Sequence, residues 1–293
     1  MPPKRKREVD GEATEGSRPG ERVSEVEGDE PSAVSRRESP SLYYERRALG
    51  ENIILGMTGS VASIKADDLI HSVADIPRQI LPDPKPFDDP LIPHTMVVAT
   101  KAAKHFFDWD QAVENWINEN YDVSFIEDED EWRDWKKVGD PVLHIELRRW
   151  ADILVVAPCS ANTLAKMANG LCDDLLSCIV RAWDFNDPHK RMVIAPAMNT
   201  MMWESPFTRK HLATLVELGG GTMDDQNRVV IVGPVEKTLA CGDVGNGAMA
   251  APADIMRIVE KLGDDIRASA GVTRGEVYDR RVHQFIAGEG SRL

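Results

Sequence analysis

Three side chains have types suited to moving protons and holding a carboxylate: His144, Cys241 and Asn199. An imidazole titrates near neutral pH, so His144 can take a proton at working pH. It lies between Leu143 and Ile145, however, and a lone His among apolar residues is more often a satisfied structural histidine. Cys241 stands in the Gly-rich stretch 239–249, which is predicted to be a mobile loop or flap rather than regular structure. A thiol there is more accessible than Cys172 or Cys178, which are read as core residues on or near an apolar helix. The competing reading is a flexible turn with an incidental cysteine. Asn199 sets an amide donor and acceptor three residues past Pro196, with Ala197, Met198, Met201, Met202 and Trp203 around it. One oriented amide in an apolar wall is a common way to build a small-molecule pocket. A Met-rich loop that merely packs accounts for these residues equally well.

A second group has the chemistry of anion binding. Gly59, Ser60 and Val61 follow a short apolar run and precede a helical pattern. A glycine there lets the backbone approach a ligand, the serine offers a hydroxyl, and the helix start presents free N–H groups at its positive dipole end. The turn is neither Gly-x-Gly-x-x-Gly nor a Walker A loop. Thr100 and Lys101 stand at the end of a second run. Ser160, Ala161, Asn162 and Thr163 stand at the end of a third. In both places an ordinary helix N-cap explains the residues as well as a ligand contact does.

The elements that must position these groups can be read from apolar runs and their punctuation. Runs at 52–57, 95–99, 153–157, 192–195 and 229–232 are predicted strands of an open α/β sheet, two of them ended by Pro158 and Pro196. In such a sheet ligands sit outside the carboxyl ends of the strands. Helices are predicted at 64–74, from Thr100 to near 107, at 110–120, after the Gly-Asp-Pro turn at 139–141, at 164–169, up to 183, at 206–218 and at 252–262. Six prolines in 75–94 exclude helix or central strand there and predict an inserted surface loop. The acidic run 127–131 is read as a solvated face leading into a turn with Trp132 and Trp135. Residues 1–48 are too polar to offset the entropy of ordering and are expected to be a disordered tail, with the ordered domain at 49–264 and a C-terminal tail at 265–293.

Composition narrows the partners. A net charge of −14 argues against broad binding to nucleic acid or anionic membrane. No apolar run reaches the eighteen or so residues that span a bilayer. The start of the chain lacks the apolar stretch of a secretory signal. The four cysteines lack zinc-finger spacing and fit free thiols in a reducing compartment. The expectation is therefore a cytoplasmic protein without a metal. The basic cluster 4–7 fits a nuclear import signal or, more commonly, a solvated patch.

Several stretches together resemble the homo-oligomeric flavin-containing cysteine decarboxylases. They are Gly-Ser-Val-Ala at 59–62, Pro-Val-Leu-His-Ile-Glu-Leu-Arg-Arg-Trp-Ala-Asp at 141–152, Pro-x-Ser-Ala-Asn-Thr at 158–163, Pro-x-Met-Asn-x-x-Met-Trp at 196–203 and Ala-Cys-Gly-Asp-x-Gly-x-Gly-Ala-Met at 240–249. The resemblance covers about residues 50–262. It implies a single doubly wound, Rossmann-like or flavodoxin-like domain of three layers that binds FMN. Flavin contacts would come from Gly59, Ser60, Val61, Thr100, Lys101, Ser160, Ala161, Asn162, Thr163 and Ala197. It implies a homotrimer with active sites between protomers. The implied reaction is decarboxylation of 4'-phosphopantothenoyl-L-cysteine to 4'-phosphopantetheine in coenzyme A synthesis. His144 would be the base, Cys241 the acid that completes the cycle, Asn199 the carboxylate ligand, and Met198 and Ala197 substrate contacts. Fungal halotolerance relatives keep the fold but inhibit a type 1 protein phosphatase. They carry a long acidic C-terminal tail, whereas this tail is short and mixed in charge.

Overall fold

Strands buried on both faces are read as unbroken apolar runs, because helices cover both sides of a parallel sheet. The computed structural model describes residues 52–80, 95–118, 123–238 and 244–271. The chain begins with β1 (Ile53–Met57), then a 3-10 turn at Val61–Lys65 that runs into α1 (Ala66–Ile80). β2 (Thr95–Ala99), a 3-10 turn at Ala103–His105, α2 (Trp109–Asn118) and β3 (Val123–Ile126) follow. A 3-10 turn at Asp128–Asp130 precedes α3 (Leu143–Trp150), β4 (Ile153–Cys159), α4 (Ala161–Asn169) and α5 (Leu175–Arg181). Then come β5 (Arg191–Pro196), α6 (Thr200–Glu204), α7 (Pro206–Leu218) and β6 (Val229–Ile231). β7 (Val235–Thr238), β8 (Val244–Ala248) and α8 (Pro252–Ser269) complete the order.

Six strands form one parallel sheet in the order β3-β2-β1-β4-β5-β6. This is the doubly wound order, and its direction of travel reverses between β1 and β4. Side chains alternate between faces along each strand. Ile53, Leu55, Val97, Val155 and Val193 pack with Leu69, Val113, Ile255 and Val259 from α1, α2 and α8. Ile54, Met96, Val98, Leu154 and Ile194 pack with Leu147, Leu164, Leu176 and Leu215 from α3, α4, α5 and α7. These are the expected three layers. Among the described residues no helix is long and apolar enough to cross a membrane.

Several local expectations need correction. Helix α1 does not stop before the proline-rich stretch but runs through Pro77 to Ile80. A proline in a helix interior costs about 3 kcal/mol. Burial of Leu69, Ile70 and Val73 upstream, at about 1.5–3 kcal/mol each, sets the helix before the proline is reached. Residues 81–94 lie outside the described residues. Thr100 and Lys101 open only a 3-10 turn, because Met57 O takes the Thr100 N–H at 3.0 Å and holds the chain against the end of β1. β4 continues through Pro158 to Cys159, with a shift of register against β5. α4 begins at Ala161 rather than 164, since Ser160 Oγ already accepts from Thr163 N at 3.2 Å. α8 runs past the expected boundary at 264 to Ser269, and Ile266 is fully buried. The tail at 1–48 and most of that at 265–293 lie outside the described residues.

The two cysteines expected in the core are not in it. Leu175, Leu176, Ile179 and Val180 form the inward stripe of α5. Cys178 falls between them and is half-buried, while Cys172 precedes the helix and is exposed. Among the described residues the buried thiol is Cys159, which burial pushes up to about 12. The Gly-rich stretch also departs from expectation, because residues 244–248 form β8, an antiparallel partner of β7. Cys241 lies outside the described residues.

Candidate functional site

The carboxyl ends of four strands are stapled to one another. Thr58 Oγ1 donates to Pro158 O at 2.7 Å and accepts from Ser160 N at 2.8 Å, joining β1 to β4 across the reversal point. Cys159 O accepts from Ala197 N at 2.9 Å, joining β4 to the end of β5. Ser60 Oγ donates to Ala197 O at 3.1 Å, which closes the ring back to β1. Ser60 also caps the following helical turn, where its Oγ accepts from Ala62 N. Gly59 is needed by contact, since a Cβ there would lie 2.6 Å from the Ala102 Cβ. The sequence-predicted residues Gly59, Ser60, Thr100, Ser160 and Ala197 are thus brought to one crevice. For Ser160 the N-cap reading holds, because its hydroxyl is committed to Thr163. Thr163 is buried beneath it, Ala161 is half-buried, and Val61, Lys101 and Asn162 are exposed.

Among the described residues a buried side chain of this crevice lacks a partner. Thr100 Oγ1 is buried, and no hydrogen bond reaches it. A buried hydroxyl without a partner costs about 1–3 kcal/mol. It lies at the end of β2 against the end of β1, beside the capped start of a helix. An unpartnered hydroxyl donor beside the positive end of a helical turn fits a phosphate.

Asn199 is oriented by its own helix. Its Oδ1 accepts from Met202 N at 2.9 Å as the N-cap of α6, which leaves the two Nδ2–H donors without a partner among the described residues. The turn is pinned from above by the hairpin, where Met198 N donates to Gly247 O at 2.9 Å. A Cβ at Gly247 would lie 2.2 Å from Met198 O, and one at Gly245 would lie 2.1 Å from Thr200 Oγ1. The glycines that weaken strand propensity are therefore those that let β8 lie on the Asn199 turn. Met198 is half-buried, with Sδ 3.8 Å from Thr208 Oγ1.

His144 belongs to a different group. It is the second residue of α3, and its Nδ1 lies 2.6 Å from Glu131 Oε1. The acidic run is therefore not a plain solvated face. Glu127 accepts from Trp109 Nε1 at 2.7 Å, pairs with Lys104, and forms a capping box with Asp130. Asp128 accepts from Leu175 N at 2.9 Å, and burial raises its carboxyl above the usual range. These anchors fold the run back on itself and bury Glu131 under the start of α3. The indole of Trp132 stands edge-on to the imidazole, with ring centres 6.4 Å apart. Glu131 accepts from Nδ1–H, which assigns the lone pair to Nε2. Cys178 Sγ lies within 4.8 Å of both partners, and burial, then the Glu131 charge, push its thiol up to about 12. Glu131 is the residue that sequence reasoning missed. Nothing local separates it from its acidic neighbours, and only the bulky Trp132 beside it hints at burial.

The profile of the family described as Flavoprotein matches residues 42–263. The chain belongs to the flavoprotein family. A probable phosphopantothenoylcysteine decarboxylase of Arabidopsis thaliana is 46% identical over 207 residues, which cover 71% of this flavoprotein and 86% of that relative. Among solved structures, a PPC decarboxylase mutant complexed with pantothenoylaminoethenethiol is similar at TM-score 0.57 and 44% identity, covering 72% of this chain and 96% of that one. The FMN-binding protein AtHal3 is similar at TM-score 0.57 and 44% identity, covering 73% and 96%.

Two parts of this flavoprotein's site stand apart. Among the described residues His144 shares no hydrogen bond with the Ser60–Asn199 group. Glu131 hangs from the end of β3 and Asn199 from the end of β5, four strand steps away, or about 19 Å at ordinary strand spacing.

Proposed function

We propose that this flavoprotein binds FMN and decarboxylates 4'-phosphopantothenoyl-L-cysteine to 4'-phosphopantetheine, a carboxy-lyase step of coenzyme A synthesis in the cytoplasm. The observation that carries the reading is the Glu131–His144 pair, which leaves one imidazole nitrogen free as a base. The similarity to the decarboxylases named above supplies the substrate. Thr100 Oγ1 and the positive end of the turn that Ser60 caps would hold the FMN phosphate, with Gly59, Ser60, Val61, Lys101, Ser160, Ala161, Asn162, Thr163 and Ala197 around it. When bound, FMN supplies a two-electron acceptor that eases loss of carbon dioxide from a cysteine and later returns the electrons.

The chain's own residues do the rest. Nε2 of His144 takes the substrate proton, and the Glu131 carboxylate holds the ring in the tautomer that permits this and stabilises the imidazolium formed. Asn199 presents its two Nδ2–H donors to the substrate carboxylate, since its Oδ1 is already engaged. Met198 lines the same turn. Cys241 donates the proton that completes the product. The separation of His144 from Asn199 supports an active site shared between protomers of a homotrimer. Val61, Ile64 and Met201 are 44%, 66% and 77% exposed on the turns that flank the crevice, which suits cover by a second chain.

The test is the purified protein assayed for carbon dioxide and phosphopantetheine beside His144→Asn and Cys241→Ser. The expected result is a yellow, trimeric, active wild type, with His144→Asn at least about a thousandfold slower in turnover. A yellow trimer without activity would move the reading to a regulatory subunit of a type 1 phosphatase.

A further inference from the structure

Outside its role as a base, His144 sits in a cluster that the proposed reaction does not use in full. A ring nitrogen of His144, a carboxylate oxygen of Glu131 and Sγ of Cys178 all lie within 4.8 Å of one another, and the ring nitrogen that meets Glu131 is Nδ1. They come from three separate places: the turn after β3, the first turn of α3, and the outer side of α5. The elements are braced around the cluster, by Leu175 N donating to Asp128 at 2.9 Å and by the capping box at Glu127. Cys178 has only a weak bond, with Sγ 3.5 Å from Cys172 O. Glu131 is buried while His144 and Cys178 are half-buried, so the cluster is open to solvent at two of its three members.

Carboxylate, imidazole and thiol are the three ligand types of zinc, at bonds of about 2.0–2.3 Å. In tetrahedral array such bonds put ligand atoms about 3.3–3.7 Å apart, so the 2.6 Å contact of Nδ1 with Glu131 must open and Cys178 Sγ must draw in for the three to hold an ion. The charges suit it as well, since one carboxylate and one thiolate neutralise a dication. Three protein ligands leave a fourth position for water.

We propose that Glu131, His144 and Cys178 form a Zn²⁺ site, and that occupancy switches the base off by reversing its tautomer. The proton balance is explicit. Cys178 releases its S–H proton to solvent as the Zn–S bond forms. Nδ1 gives up its proton to bind the metal, and the ring stays neutral by taking a proton at Nε2. The nitrogen with the free lone pair thus becomes an N–H, and the Nδ1–H bond to Glu131 is replaced by metal ligation of both groups. The binding site rests on geometry alone. Only its effect on turnover rests on the decarboxylase reading.

Cobalt is the probe, because a thiolate ligand gives Co²⁺ a strong near-ultraviolet charge-transfer band. Titration of the full-length wild type with Co²⁺ should give that band, saturating at one equivalent per chain and discharged by Zn²⁺. Cys178→Ser should abolish the band, and Glu131→Gln should weaken binding at least tenfold. Cys172→Ser should retain the band, and melting temperatures check that each variant is folded. Nitrogen NMR of the histidine should show Nδ1–H in the metal-free protein and Nε2–H with Zn²⁺. A band that survives Cys178→Ser, or no saturable binding, overturns the site. Binding without the change of tautomer overturns the switch. Zn²⁺ should also stop decarboxylation reversibly, with chelator restoring it. A protein that binds cobalt but never decarboxylates keeps the site and removes the reading on which its effect depends.

Discussion

At the ends of β2, β1, β4 and β5 nearly every positioning bond has a backbone atom at one end, whereas the contact that sets His144 itself, and those that anchor Glu127 beside it, run from side chain to side chain. The crevice is held by Thr58 to Pro158 O, Ser160 N to Thr58, Ser60 to Ala197 O and Thr100 N to Met57 O. The His144 group is held by Glu131 to His144, Lys104 to Glu127 and Trp109 Nε1 to Glu127. Backbone staples fix shape and survive most substitutions nearby. Side-chain pairs place charge and proton, and each depends on two residues being right. The contrast suits a division between a cradle that binds and a dyad that reacts.

The sharpest way to break that division is at Glu131. Glu131→Ala should lower kcat about a hundredfold, or about 2.7 kcal/mol, with KM and FMN affinity within about twofold. Glu131→Gln keeps a neutral acceptor and should fall between, which a merely structural role would not produce. Steady-state kinetics decide it, and a variant altered in KM alone would place Glu131 with the binding half. Gly247→Ala sharpens the other side. Its methyl has backbone in its way, not the end of a flexible side chain. The expected cost is about 2 kcal/mol of stability from overpacking, seen as a lower denaturant midpoint together with a raised KM as the Asn199 turn shifts. Unchanged KM would separate the hairpin from substrate binding. The smallest effect is expected at Thr100. Thr100→Val removes a hydroxyl that has no protein partner, so stability without cofactor should not fall and should rise by about 1 kcal/mol, the lower end of the cost of an unpartnered buried hydroxyl. FMN affinity should drop about tenfold, the lower end for a hydrogen bond to a charged group, as read by flavin fluorescence titration. Equal losses with and without FMN would show that the hydroxyl does not serve the phosphate.

The division also governs what could be read from the sequence. The crevice residues were legible because each lies just past a fully buried strand such as Met192 to Ala195, and apolar runs locate such strands well. β3 was missed, because Val123–Ile126 is a short edge strand that is only half-buried and shows no strong run. β8 was missed for a physical reason too. Gly245 and Gly247 were read as loop residues, yet what selects them is contact with the Asn199 turn, a constraint that appears only in three dimensions. Glu131 was invisible for the same reason. Its burial depends on α3 closing over it and on Asp128 and Glu127 bending the run, none of which composition reveals. Pro77 misled in the other direction, since a rule about prolines yielded to a helix already set by its upstream packing.

The ring of staples from Thr58 through Ser160 and Ala197 back to Ser60 has a calorimetric consequence. Because those loops are already ordered by protein-to-protein bonds, a ligand entering the crevice gives up its own freedom and little of the chain's. Its binding entropy should therefore resemble that of docking onto a rigid surface, and its heat-capacity change should reflect only the apolar area covered, with no contribution from coupled folding.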